Sequence, residues 1–302
     1  MYRQFYGLSH EPFNLNPDPK FLYLAQSHYD ALSSMLSGIN ERKRIIVITG
    51  EAGVGKTLLI YAIMKDLPDK VKSAFIFHPT MGFQGLIENI LLDLDVRVNE
   101  RKNKLSSLLV GFRRYLHERL AREETVAVVI DDAQVLDNGV LESLLRFSTV
   151  EDPATKMLQV LLVGHPGLEE KLKSIKLRHY KEKIGVKCRI RPFTLEEGRE
   201  YVKYRLKLAG REISEIFTSK ALSQVWKFSR GIPRVMNLLC ERALLIGYKN
   251  SSPIIDSKII KAAMKDFNYL WTGGKRTFLP KLLGKISRSK ILGVIFFRSA
   301  FF

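Results

Sequence analysis

Cysteine is nearly absent, with two residues, Cys188 and Cys240, in a chain of 302. Their sequence neighbours are apolar or basic and hold no second ligand. That excludes a disulfide framework and a cysteine metal cluster, and predicts reduced, partly buried thiols in a cytoplasmic protein. Long apolar runs are also missing. The segment 291–302 is apolar but short and interrupted by Arg298, whereas a bilayer takes about 20 apolar residues. The opening Met1-Tyr2-Arg3-Gln4-Phe5-Tyr6 has neither an apolar core region nor a small-residue cleavage site, so no secretory signal is expected. Acid is scarce beside base, 31 Asp and Glu against 49 Lys and Arg, which leaves a formal charge of +18 and a pI near 9.8. Such an excess favours an anionic partner, whether nucleic acid, lipid headgroups or an acidic protein, and says nothing about fold. The mean hydropathy of −0.06 is that of an ordinary globular chain, and the length suits one large or two modest domains.

What is present centres on Gly50-Glu51-Ala52-Gly53-Val54-Gly55-Lys56-Thr57. It follows the β-branched run Ile45-Ile46-Val47-Ile48-Thr49 and precedes the helix-forming run from Leu58 to Met64. Strand, glycine-rich turn and helix in that order are the context in which G-x-x-x-x-G-K-[ST] is a phosphate-binding loop. Glycine lets the backbone N–H groups close around a triphosphate, and the helix N-terminus adds its dipole. Residues Gly50 to Leu58 are therefore the expected ATP-binding segment. Lys56 is expected at the β- and γ-phosphates and Thr57 at Mg²⁺.

A second signal stands about 75 residues downstream, in keeping with the usual pairing of such motifs. Thr125 to Ile130 reads as a fully buried parallel strand with Asp131 and Asp132 at its carboxyl end, the end where ligands bind. Asp131 is expected in the Mg²⁺ shell, and Asp132 is expected to orient or deprotonate the attacking water. Met157 to Val163 is another buried strand. It ends at Gly164-His165-Pro166, which makes His165 a candidate to touch the γ-phosphate or the water.

Elsewhere the pattern gives strands at 45–49, 73–78 and 187–191, and helices at 27–39, 83–95, 105–122 and 137–147. Four more helices follow at 195–209, 218–228, 233–247 and 256–268. This predicts an α/β fold, a P-loop NTPase with a parallel sheet sandwiched by helices and followed by a smaller all-α lid. The expected domains are 1–193, 194–270 and a basic and apolar tail, 271–302. Residues 1–25, dense in aromatics and prolines, read as an irregular arm that either clamps the main core or walls the adenine pocket. Residues 171–191 carry nine Lys or Arg against the single acid Glu182, a contact surface for a phosphate chain or a neighbouring subunit.

The chain resembles one group of AAA+ ATPases, the general secretion pathway protein A (ExeA-like) proteins, near the pilus-biogenesis and exosortase-associated ATPases. The resemblance is carried by Phe5-Tyr6-Gly7-Leu8, Glu11-Pro12-Phe13, Pro17-Asp18-Pro19-Lys20-Phe21-Leu22-Tyr23, the P-loop, Asp131-Asp132-Ala133-Gln134, Leu162-Val163-Gly164-His165-Pro166 and Gly231-Ile232-Pro233-Arg234. It covers about residues 1–268 and implies Mg²⁺–ATP hydrolysis, homo-oligomeric assembly and work on envelope machinery beside the inner membrane. By that likeness Arg234 reports the γ-phosphate to the lid. Three positions depart from the group's pattern: Asp132 where a glutamate is usual, His165 where a glutamine is common, and Lys183 where an arginine acts across a subunit boundary. The departures imply slow hydrolysis, with the trans-acting role passing to Arg178 or absent.

Three functions stand on these residues. The first is ATP-driven assembly of a secretion, pilus or exopolysaccharide system, with envelope proteins as partners and the tail against an anionic membrane surface. The second is a DNA-associated AAA+ regulator resembling transposition ATPases, which binds nucleic acid through the basic face. The third is a nucleotide-binding scaffold that scarcely hydrolyses.

Overall fold

In a computed structural model the described residues are 1–15, 19–97 and 104–272, and they form two compact units. The opening helix α1 (Tyr2–Tyr6) belongs to the helical unit. The other unit, Asn16–Pro192, is built on β1 (Ile45–Gly50), β2 (Val71–Ile76), β3 (Thr125–Ile130), β4 (Leu158–Gly164) and β5 (Ile184–Ile190). All pairings are parallel, in the order β2-β3-β4-β1-β5. Every residue of β1, β3 and β4 is buried, which is why these segments read as unbroken apolar runs: a parallel sheet is covered on both faces.

Alternate residues serve the two faces. Ile46, Ile48, Val129, Leu161 and Val163 pack with Ala31, Met35 and Ile39 of α2 (Gln26–Asn40) and with Leu59, Ile60 and Ile63 of α3 (Lys56–Asp66). Val47, Val128, Ile130 and Leu162 pack against α4 (Phe83–Asp93), α5 (Leu105–Ala121) and α6 (Asn138–Thr149). The short α7 (Gly167–Leu172) adds Leu168 and Leu172 to the same cluster.

β2 begins two residues earlier than its sequence pattern suggests, because Val71 and Lys72 pair with Thr125 and Val126. β5 begins at Ile184 instead of Lys187, and a register irregularity lies between Ile45 and Ile46 of its neighbour β1. Gly185 makes the early start possible, since a Cβ there would stand 2.7 Å from the Lys43 Cβ.

The helical unit joins Met1–Leu15 to the chain from Phe193 onward. It holds α8 (Leu195–Leu208), the unforeseen α9 (Ile213–Ile216), α10 (Ser219–Ser229), α11 (Pro233–Lys249) and α12 (Ser257–Thr272). The aromatic arm, expected within a domain 1–193, thus has its first fifteen residues in this unit. The cause is a buried cation. Arg205, 4% exposed, donates to the carbonyls of Pro12 and Asn14, and a desolvated guanidinium requires such acceptors. The Tyr6 hydroxyl donates to the Ser252 carbonyl at 2.9 Å, and Phe13 meets Phe217 edge-on at 6.1 Å.

Gly231 closes the turn between α10 and α11 at φ +74. Its carbonyl accepts from the Phe193 N–H at 2.9 Å, and a Cβ would lie 2.1 Å from the Phe193 oxygen. Gly231→Ala is expected to destabilise the helical unit by about 2 kcal/mol or more, from left-handed strain plus a clash with backbone. An unchanged thermal midpoint would contradict that.

Residues 273–302, nearly all of the expected tail, lie outside the described residues. Among the described residues no helix is long and apolar enough to cross a membrane.

Candidate functional site

β1 delivers the chain to the glycine loop at the carboxyl edge of the sheet. Gly53 and Gly55 take φ of +85 and +108, conformations that L side chains rarely adopt. A Cβ on Gly50 would press within 2.9 Å of Val54 and 3.0 Å of the Ile190 carbonyl. His28 of α2 holds the loop from behind, its Nε2 2.8 Å from the Val54 carbonyl oxygen. No side chain caps α3, so its first N–H groups are free to act as an anion cradle. The Lys56 amine is 8% exposed by residue and donates to the Gly50 and Glu51 carbonyls at 2.9 and 3.1 Å. Burial pushes its pKa below the ordinary lysine value, while Asp131, Asp132 and Glu51 pull it back up.

The acids stand beside the loop. The Thr57 hydroxyl donates to Asp131 Oδ2 at 2.6 Å, and the Asp132 N–H donates to Asp131 Oδ1 at 2.9 Å. Burial raises the Asp131 carboxyl above the ordinary range, and the Thr57 hydroxyl bond is the main counterweight. A carboxylate desolvated this far and beside a second one gains from a cation, so hydroxyl and carboxylate suit Mg²⁺. Asp132 sits at φ +52, a left-handed position that aspartate tolerates better than most residues. Its Oδ1 accepts from Gln134 Nε2 at 2.9 Å, and its Oδ2 lies 3.5 Å from His78 Nδ1.

The tip of β4 also joins this edge. The His165 N–H donates to Gln134 Oε1 at 2.8 Å, and its ring Nε2 stands 3.2 Å from Glu51 Oε2. Arg189 of β5 reaches the other Glu51 oxygen at 3.6 Å. His78, Asp132, His165, Glu51 and Arg189 thus give one polar residue at or beside the carboxyl end of each strand, in the spatial order of the sheet. Beneath them the buried Thr49 hydroxyl donates to Glu169 Oε1 at 2.6 Å, and Lys187 meets Glu169 Oε2 at 2.6 Å. Lys187 and Thr49 together hold the Glu169 carboxyl below the usual range.

The structure therefore brings Gly50 to Leu58, Asp131, Asp132 and His165 to one edge. Within the same unit it does not bring Lys183 there. Lys183 ends the 3₁₀ turn Arg178–Lys183 at the amino end of β5, beside the start of β1. That is a strand length, roughly 20 Å, from the loop. Arg234 is the second residue of α11 in the helical unit, where burial lowers its guanidinium pKa without removing its charge. The basic run 171–191 is not one uniform face. Lys187 and Arg189 pair with acids at the site, Lys173 pairs with Glu170, and Lys171 donates to the Leu136 carbonyl. Cys188 and Cys240 are free thiols, both raised in pKa by burial.

Gln134, His78 and His28 carried no assigned role in the sequence. The signal available for Gln134 was its position two residues beyond the paired acids. The two histidines reach the site from other elements and leave no local motif.

Residues 39–172 match the AAA domain family. General secretion pathway protein A of Aeromonas hydrophila is 34% identical over 264 residues, which is 87% of this chain and 48% of the relative. The chain thus spans about half the length of that relative. Among solved structures, Cdc6p from Pyrobaculum aerophilum superposes with a TM-score of 0.65 at 16% identity, over 87% of this chain and 70% of that one. The Aeropyrum pernix ORC2 protein gives 0.60 at 14% identity, over 85% and 72%. The Thermotoga maritima RuvB branch migration motor gives 0.54 at 21%, over 81% and 70%; at these identities the likeness is one of fold. The chain is thus similar along most of its length to general secretion pathway protein A and carries, over residues 39–172, a match to the AAA domain in which the glycine loop and the paired acids stand side by side.

Proposed function

We propose that the chain binds Mg²⁺–ATP at the carboxyl edge of its sheet and hydrolyses it to drive assembly of a bacterial envelope system at the cytoplasmic face of the inner membrane. The observation that carries the chemistry is the 2.6 Å bond between Thr57 and Asp131, which joins the loop to the acid strand. In this reading Lys56 swings from the Gly50 and Glu51 carbonyls to the β- and γ-phosphates. Thr57 and Asp131 would hold Mg²⁺, which would neutralise charge on the phosphate oxygens. Asp132 orients the attacking water and takes its proton as the bond from the γ-phosphorus to the ADP oxygen breaks. Arg234 links the γ-phosphate to the helical unit. Lys183 or Arg178, distant from this chain's own loop, acts in a neighbouring copy of a homo-oligomer.

The envelope assignment rests on the likeness to general secretion pathway protein A. The charge of +18 favours a second reading, a DNA-associated regulator, because Lys176, Arg178, Lys181 and Lys183 are all exposed. ATP hydrolysis measured alone, with duplex DNA and with anionic vesicles across a salt series separates the two. Stimulation by vesicles and not by DNA supports envelope work. Stimulation by DNA that fades steeply with salt replaces it with the second reading.

A further inference from the structure

We propose that Gln134 is a positioning residue that fixes the Asp132 carboxylate against the tip of β4, an inference that rests on the reading of Asp132 as the hydrolytic acid. Its side chain uses both halves of the amide. Nε2 donates to Asp132 Oδ1 at 2.9 Å, and Oε1 accepts from the His165 N–H at 2.8 Å. Among side chains of this length only an amide can donate to a carboxylate and accept from a backbone N–H at once. Glutamate in its place would set a second negative charge against Asp132, and lysine or arginine would leave the His165 N–H without an acceptor.

β4 is shaped for this bridge. A Cβ on Gly164 would stand 2.5 Å from Gln134 Oε1, so the strand carries no side chain where the amide passes. Gly164 needs no positive φ, so here it is space and not backbone conformation that calls for glycine. The bridge also has reach. Asp132, whose backbone is held at φ +52, is tied through Gln134 to His165, whose ring pairs with Glu51 of the glycine loop. A shift in the loop on nucleotide binding is thereby carried to the acid through the two Gln134 hydrogen bonds and the contact of the His165 ring with the Glu51 carboxylate. Gln134 touches neither the loop nor Mg²⁺ ligands through its side chain in the bonds described, so its effect belongs in turnover and not in affinity.

The test is steady-state ATP hydrolysis and equilibrium ATP binding by the full chain with Gln134→Ala, Gln134→Glu, Gly164→Ala and the double variant Q134A/G164A. The expected result for Gln134→Ala is a kcat lower by about tenfold or more with the ATP Kd within about threefold of wild type. Gln134→Glu is expected to be at least as damaging. Gly164→Ala alone lowers kcat to a similar degree, and in the Gln134→Ala background it adds less than about twofold, because the two act through one bridge. Gln134→Met keeps the length and volume and serves if the alanine variant does not fold. Wild-type kcat in the Gln134 variants, an equal loss of ATP affinity, or a fully multiplicative double variant overturns the proposal. Asp132→Asn run in parallel separates the two levels. If it is inactive while the Gln134 variants turn over normally, Gln134 alone is refuted; if it hydrolyses like wild type, the reading of Asp132 is refuted as well.

Discussion

Replacing Lys56 by alanine is expected to abolish tight ATP binding. The amine stands at the start of α3, buried within the loop and bonded to the Gly50 and Glu51 carbonyls. Nucleotide phosphates offer it stronger acceptors than those carbonyls, since charge-assisted bonds are about twice as strong as neutral ones. Two such bonds, at roughly 1.5 kcal/mol or more each, make the expected loss at least about 100-fold in Kd. Burial lowers the lysine pKa, but Asp131, Asp132 and Glu51 oppose that and favour the ammonium form. The substitution removes a buried charge without creating a backbone clash, so the fold should persist. Titration of a fluorescent ATP analogue, with a thermal unfolding control, reads the effect. Wild-type affinity in a folded Lys56→Ala protein is incompatible with the P-loop assignment.

Asp132→Asn has the second large effect and separates hydrolysis from binding. Asparagine keeps the shape, and its Oδ1 still accepts from Gln134 Nε2, so the bridge to β4 survives. What is lost is the basic oxygen proposed to take the proton from water. General-base catalysis is worth about 10²–10⁴ in rate, and kcat should fall by that order while ATP affinity is retained. Single-turnover hydrolysis beside equilibrium binding shows the split. Unchanged turnover would move the base to another group at this edge, with His78 the nearest candidate.

These two residues were legible in the sequence because each lies in a contiguous signal. The loop is eight residues between a β-branched run and a helix, and the acids end a strand with no polar residue in its last five positions. The buried strands β1, β3 and β4 were legible for the same reason. The early starts of β2 and β5 were not, because Val71, Lys72 and Gly185 are set by their pairing partners and by the space beside Lys43, which no local pattern encodes. The bridge through Gln134 was hidden similarly: it joins the ends of β3 and β4, 31 residues apart in sequence.

The aromatic arm shows a different limit. Its composition says that it packs, yet its destination is set by Arg205, a buried cation that asks for the Pro12 and Asn14 carbonyls. An arginine in the last turn of an amphipathic helix is ordinarily read as surface. His165 was legible as a strand-tip residue but not in its pairing, because Glu51 lies on the neighbouring strand's loop, where the motif tolerates any residue.

On this reading the loop, Thr57, the paired acids and their bridge form one Mg²⁺-dependent ATP-hydrolysing edge. Phosphate release from ATP by the purified chain, measured with Mg²⁺ and again with the metal chelated, tests it most directly. The expected result is steady release that stops on chelation and returns when Mg²⁺ is restored. Release that is indifferent to the metal, or none while ATP and Mg²⁺ are demonstrably bound, would contradict it.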